Sequence, residues 1–279
     1  MPYGWNETTI SSCSRKTYGN QPLSAIATAA IPGASAVIQE PASLSEGQPL
    51  INTFFAPSKT FTDLRRNANW WVPFLIIAIV ALLFVYTVDQ KVGFRKVAEN
   101  QIQSQSKQAD RIERLPADQR EKTMQQQVTF TKIFSYAFPV TMLIWFAVVA
   151  GVLLATLKFG ASAEVKFKTI FALVIYSSIP GLLKSLLAIL SLVAGVSGDS
   201  FTFQNPVATN PGYFIERAAH PVLGSLLTSF DIFTIWILAL AAIGITCISK
   251  VKRGTAFAVV FGWYGVVVLI GVGLAAAFA

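Results

Sequence analysis

The chain is poor in the residues that usually build an active site. It has one histidine, His220, and two cysteines, Cys13 and Cys247. One imidazole cannot assemble a two-histidine metal site, and the thiols have neither metal-ligand nor redox spacing. There are no paired acids, no Gly-x-Ser-x-Gly turn and no Gly-x-x-x-x-Gly-Lys phosphate loop. These absences argue against an enzyme, and no cofactor or metal is expected. Charge is scarce too: 13% of the 279 residues are charged, against about 25% in an average soluble domain.

What is present is apolar. Hydrophobic residues make up 53% of the chain, with a mean hydropathy of +0.55. They come in unbroken runs rather than at amphipathic spacing, which excludes a large water-soluble core. Five runs, about 70–88, 133–157, 169–194, 226–248 and 256–278, reach the roughly 20 residues that a helix needs to cross hydrocarbon. The runs are too long and continuous for alternating barrel strands, so helices are the only spanning form left. The predicted fold is all-α: a polytopic membrane protein built as a bundle of five transmembrane helices, with the lipid bilayer as its first partner. Residues 1–50, rich in Ser, Ala, Pro and Gly, read as a disordered polar tail. Residues 51–279 form the membrane domain. No secretory leader is expected, because Pro32 and Gly33 interrupt the mildly apolar residues 22–38 and no compact basic stretch leads into them.

The net charge of +8 belongs to membrane flanks rather than to nucleic-acid binding. Lys59, Arg65 and Arg66, then Lys158, Lys166 and Lys168, then Lys250, Lys252 and Arg253 fall at alternate ends of the runs. The positive-inside rule therefore puts the N-terminus in the cytoplasm. The first external loop, 89–132, is counter-evidence, with Lys91, Arg95 and Lys96 close to the first span. It reads as a polar helical hairpin between spans 1 and 2, two helices joined at Leu115–Pro116, with Val97, Ile102, Ile112 and Leu115 as a weak apolar stripe. The second loop turns at Asn205–Pro206 and Asn210–Pro211. Its Phe201, Phe203, Tyr213 and Phe214 are expected to fold back on the headgroup surface.

Ahead of the first span, Phe54, Phe61 and Leu64 fall at helical spacing and precede the Trp70–Trp71 pair. This predicts a short interfacial helix, with Phe55, Pro57, Phe61, Trp70 and Trp71 as the interfacial motif.

Two charges lie within the apolar runs. Such residues cost several kcal/mol by most estimates and face protein or water. Counting about 1.5 Å per residue from Thr169 places Lys184 roughly 8 Å below the far surface of the core, and Asp231, entering from that surface, at a similar depth. Facing one another, or sharing a small polar cluster with Thr228 and Ser229, is one reading of Lys184 and Asp231. Snorkelling of Lys184 and capping of a helix start by Asp231 are the others. Pro180 and Gly181 are expected to kink the third span beside Lys184 and to free carbonyls that need donors. Small residues at four-residue spacing, Ala258 and Gly262, then Gly271 and Ala275, are compatible with a packed bundle or a homo-oligomer.

Four stretches together resemble the Ypt-interacting protein (Yip) domain family, in its bacterial branch, over about 51–279. They are FFAPSKTF before the first span, YSSIPGLL (Tyr176–Leu183) in the third, NPVATNPG in the second loop, and SFDIFTIWILALAAIG with Asp231, Phe233, Trp236 and Gly244 in the fourth. The resemblance implies a five-span domain with a cytoplasmic N-terminus, here in a bacterial inner membrane. Eukaryotic members associate with Rab-type GTPases and vesicle machinery. The expected function is a non-enzymatic membrane scaffold or adaptor that meets protein partners through its N-terminal tail and the 89–132 hairpin. A small transporter using the Lys184/Asp231 pair is the alternative.

Overall fold

The structure, a computed structural model, describes residues 48–195 and 201–278. Residues 1–47, which include Cys13 and most of the expected tail, lie outside the described residues. Every regular element among those described is helical. Two short helices, α1 (Gln48–Phe55) and α2 (Pro57–Asp63), lead to the first long one, α3 (Trp71–Lys91). The polar segment follows as α4 (Phe94–Gln103), α5 (Ser106–Glu113) and α6 (Ala117–Tyr136). The apolar elements then run α7 (Phe138–Ala155), α8 (Phe167–Ser177), α9 (Pro180–Val193), α10 (Pro221–Thr228), α11 (Ile232–Ile248) and α12 (Arg253–Phe278).

Four helical stretches are long and apolar enough to cross a bilayer: Trp71–Lys91, Phe138–Gly160, Phe167–Val193 and Arg253–Ala277. A fifth is broken, with α10 and α11 meeting at 47°. Helix α3 exposes Leu75, Ile79, Leu82 and Leu83, and α7 exposes Val140, Ile144, Trp145 and Val148. Helices this apolar on their open faces need hydrocarbon as solvent. The protein is a multi-pass membrane protein in contact with lipid.

Helix α8 runs through the centre, and Ile170 to Ser177 are all buried. Phe61 of α2 and Leu64, which caps its end, are buried with it, as are Ala242 and Ile245 of α11. This differs from the sequence expectation for Phe61. Its helical spacing with Leu64 does mark an apolar face, but that face is covered by protein rather than by headgroups. The reason is Gly244, which leaves α11 without a side chain where α2 and α8 approach it. A Cβ there would lie 2.7 Å from Leu173 Cδ1 and 3.2 Å from Phe61 Cδ1. Gly244→Ala is therefore expected to cost about 1–3 kcal/mol through overpacking. Gly262→Ala is the control, because nothing lies within 4 Å of its added methyl. Unfolding midpoints of the two variants in one detergent check this: the first should fall and the second should stay.

The polar segment has three helices rather than two. Pro116 separates α5 from α6, and a second break falls at Ser104–Gln105. There the Ser104 hydroxyl donates to the Gln101 carbonyl at 2.8 Å, a local bond that competes with helix continuation. Gln105 is extended. Helix α4 is held by burial of Val97 and Ile102, whereas Ile112 of α5 and Leu115 remain partly open. Val88, Val97, Leu192 and Phe201 form a small second core at this end of the bundle. Phe201, expected at the headgroup surface, is a member of it, and its carbonyl accepts from Asn100 Nδ2 at 3.0 Å. Helix α6 is polar until Val128, then shows Phe130, Ile133, Phe134 and Tyr136 outward before meeting α7 at Ala137.

Candidate functional site

The break between α10 and α11 is organised by one carboxylate. Asp231 has extended backbone and sits at the N-cap of α11. Its Oδ1 accepts from the backbone N–H groups of Phe233 and Thr234, both at 3.1 Å, and from the Thr234 hydroxyl at 3.3 Å. A helix start leaves such N–H groups unsatisfied, and in lipid no water replaces the missing partner. Its Oδ2 accepts from Lys184 Nζ of α9 at 2.8 Å and from the Thr209 hydroxyl. The Thr209 carbonyl in turn accepts from Ile232 N at 3.2 Å. Pairing and capping, alternatives on the sequence alone, are thus made together by the two oxygens of one side chain.

Thr228 and Ser229 bond elsewhere. The Thr228 hydroxyl donates to the Gly224 carbonyl and that of Ser229 to the Ser225 carbonyl, one turn back along α10. The Ser229 carbonyl accepts from Tyr264 of α12 at 2.7 Å, which fixes the bend from the other side.

The Asp231 side chain is 3% exposed and that of Lys184 25%. Lys184 owes its exposure to a cavity of about 590 Å³ beside α3, α6, α7 and α9, whose wall includes Phe84, Phe130, Phe134, Phe138 and Phe203. Near the break between α8 and α9, Ile179 N, Gly181 N and Leu182 N all bond three residues back. Pro180 begins α9 there, so its missing N–H falls where a helix start has no partner anyway. Gly181 faces Ile237 Cδ1 of α11.

The remaining sequence-selected residues are not part of this cluster. Phe55 ends α1 and is 86% exposed. Pro57 opens α2. Trp70 packs edge-on against Phe171 at 5.1 Å and Phe74 at 6.1 Å, while Trp71 is exposed. His220 is exposed ahead of α10, and Cys247 is a free thiol. Among the described residues no three His, Cys, Asp or Glu side chains gather to hold a metal.

Sequence reasoning missed Thr209 and Thr234. Thr234 had a readable signal, since a hydroxyl three residues past an N-cap aspartate faces it. Thr209 had none beyond its place between two Asn-Pro steps. Those steps are tied together, with Asn210 Nδ2 donating to Asn205 Oδ1 at 2.8 Å. They bring Thr209 back against Asp231 from a loop.

Beyond the geometry, a family model described as the Yip1 domain matches residues 51–275. No curated protein and no solved structure matches the chain. The match spans the interfacial segment, the polar hairpin, the candidate spans and the Lys184–Asp231 cluster, and the chain belongs to the Yip1 domain family.

Proposed function

We propose that the chain is a non-enzymatic membrane scaffold, with its N-terminus cytoplasmic and, in a bacterial cell, in the inner membrane. Protein partners meet the α4–α6 hairpin and the N-terminal tail. The hairpin carries this reading. Helix α6 has one buried residue, Thr131, along its length. It lies along α4, where the Arg95 guanidinium grips the Glu121 carboxylate through two bonds of 3.0 and 2.9 Å. A solvated arm with both signs of charge suits recognition of another polar surface.

The permease-type alternative has little to work with. A carried ion or proton needs a carboxylate that changes partners, and both Asp231 oxygens are occupied by α9, α11 and the Thr209 loop.

The test is photo-crosslinking in native membranes from Gln119 or Lys122 on α6, compared with Ile79 on the lipid face of α3. Discrete protein adducts from α6 alone support the scaffold. Adducts from neither α6 position would end the reading.

The hairpin also has a predictable pH response. The bonds from Arg95 hold the Glu121 carboxyl below its ordinary value of 4.5. A depressed carboxylate stabilises above the unfolded value and loses that contribution as pH falls through the folded one. The protection of α6 amides, measured against the intrinsic exchange rate at each pH, should therefore fall below the ordinary glutamate range. The pair is exposed, so the effect is small. Arg95→Gln should exchange faster at neutral pH and show less change on acidification.

A further inference from the structure

The loop after α9 carries an arginine with almost nothing to hold. Arg217 is half-buried, its stem lying 3.7 Å from where a Cβ on Gly224 of α10 would fall. One contact is seen for its guanidinium, Nη2 to the Thr228 hydroxyl at 3.3 Å. A guanidinium presents five N–H donors in a fork that matches a carboxylate or a phosphate. The ion pairs among the described residues involve Arg95, Lys132 and Lys184 but not Arg217. Burial pushes the Arg217 guanidinium below its ordinary value, with no acid offsetting it. A cation partly withdrawn from water without a counter-charge costs free energy unless something supplies the charge.

The surroundings are shaped to supply it. Arg217 lines a cleft of about 440 Å³ between the end of α4 and the second loop. Asn100, Gln103, Thr202, Asn205 and Tyr213 line it as well. Asn205 uses its Oδ1 to accept from Asn210, which leaves its amide N–H₂ as a donor for the cleft. Glu216, also on the wall, is exposed and forms none of the ion pairs. Phe214, 78% exposed, and Val222 and Leu223 stand nearby on the open surface of the loop and α10. They are apolar enough to rest on lipid, so headgroups are within reach of the cleft.

We propose that this cleft binds a phosphate group, with Arg217 as its cation and the Asn205 and Gln103 amides as neutral donors. A phospholipid headgroup and a free phosphate share that chemistry. The site is separate from the Lys184–Asp231 cluster and stands apart from the scaffold reading.

The full chain, purified in a maltoside detergent without phosphate, tests it. Inorganic phosphate and a short-chain phosphatidylcholine below its micellar concentration are titrated separately, with chloride at matched ionic strength as control. A saturable rise in unfolding midpoint is expected with at least one of the two probes. A response to both or to inorganic phosphate alone marks a free-anion site; a response to the lipid alone marks a headgroup site. Arg217→Gln should abolish the response. In case that variant folds poorly, Gln103→Glu alters only an exposed rim residue and should weaken apparent affinity about tenfold, the scale of one charge-assisted bond. No saturable rise, a rise equalled by chloride, or an unchanged response in both variants would overturn the proposal.

Discussion

Asp231→Ala is expected to lower stability by about 3–5 kcal/mol, the cost of stranding one partner of a buried charge pair. The expectation rests on how much converges there. Losing the carboxylate leaves Lys184 without its acceptor, frees the Phe233 and Thr234 N–H groups at the start of α11, and releases the Thr209 hydroxyl. Lys184→Ala should cost less. The carboxylate then keeps its cap donors and Thr209, and the lost ammonium was a quarter exposed beside a cavity. Exchanging the two residues should not restore stability, because a lysine at 231 accepts no hydrogen bond from the helix start. Failure of a charge swap is therefore uninformative about pairing here. The informative cycle uses Asp231→Asn, which keeps an oxygen for the cap, with Lys184→Met. The double variant should be more stable than the two single losses sum to, with a coupling of about 0.5–3 kcal/mol. Reversible unfolding in mixed micelles measures all four proteins. Equal losses from Asp231→Ala and Lys184→Ala would show that the cap and the Thr209 contact contribute nothing.

How much of this was readable depended on range in the sequence. The spans are local properties: twenty apolar residues in a row need only a bilayer and a helix, and α3, α7, α8–α9 and α12 follow from composition. The depth arithmetic that brings Lys184 and Asp231 to one level needs only the helix rise and two antiparallel neighbours. The break at Ser104 was not legible, because a serine competes with the helix only where tertiary packing lets it, and the burial of Ile102 that anchors α4 is non-local. The spacing of Phe61 fixes a face but not what covers that face, so the sequence alone points it to the interface. The cover is Gly244, 183 positions later, and a glycine in a membrane helix is too common to signal one contact. Thr209 is the furthest from sequence. It reaches Asp231 only because the two Asn-Pro steps fold the loop back on itself.

Gly212→Ala is expected to be the next most damaging substitution, and for a reason that ties the loop to the cluster. Gly212 lies in the short turn Pro211–Phe214, buried against α10. A methyl there would fall 2.5 Å from Thr228 N and 2.9 Å from the Gly224 carbonyl, and against the Thr228 hydroxyl. The first two are helix backbone, which cannot rotate away as a side chain does. Either α10 moves or the turn lifts. If the turn lifts, Thr209, three residues upstream, is drawn off Asp231, and Arg217 is drawn off Thr228. The loss should reach the upper end of the roughly 1–3 kcal/mol range for overpacking, or exceed it. Gly224→Ala is the matched control on the opposite wall. Its added methyl would meet Arg217 at 3.7 Å, an ordinary contact, and inside helix α10 the change should be neutral or stabilise by up to about 0.5–1 kcal/mol, since Ala favours a helix over Gly. Hydrogen exchange at the Phe233 and Thr234 amides separates the two ways out. Faster exchange in Gly212→Ala means the turn has lifted and taken Thr209 with it. Unchanged exchange with a lower unfolding midpoint means α10 has shifted and the Asp231 cap has held.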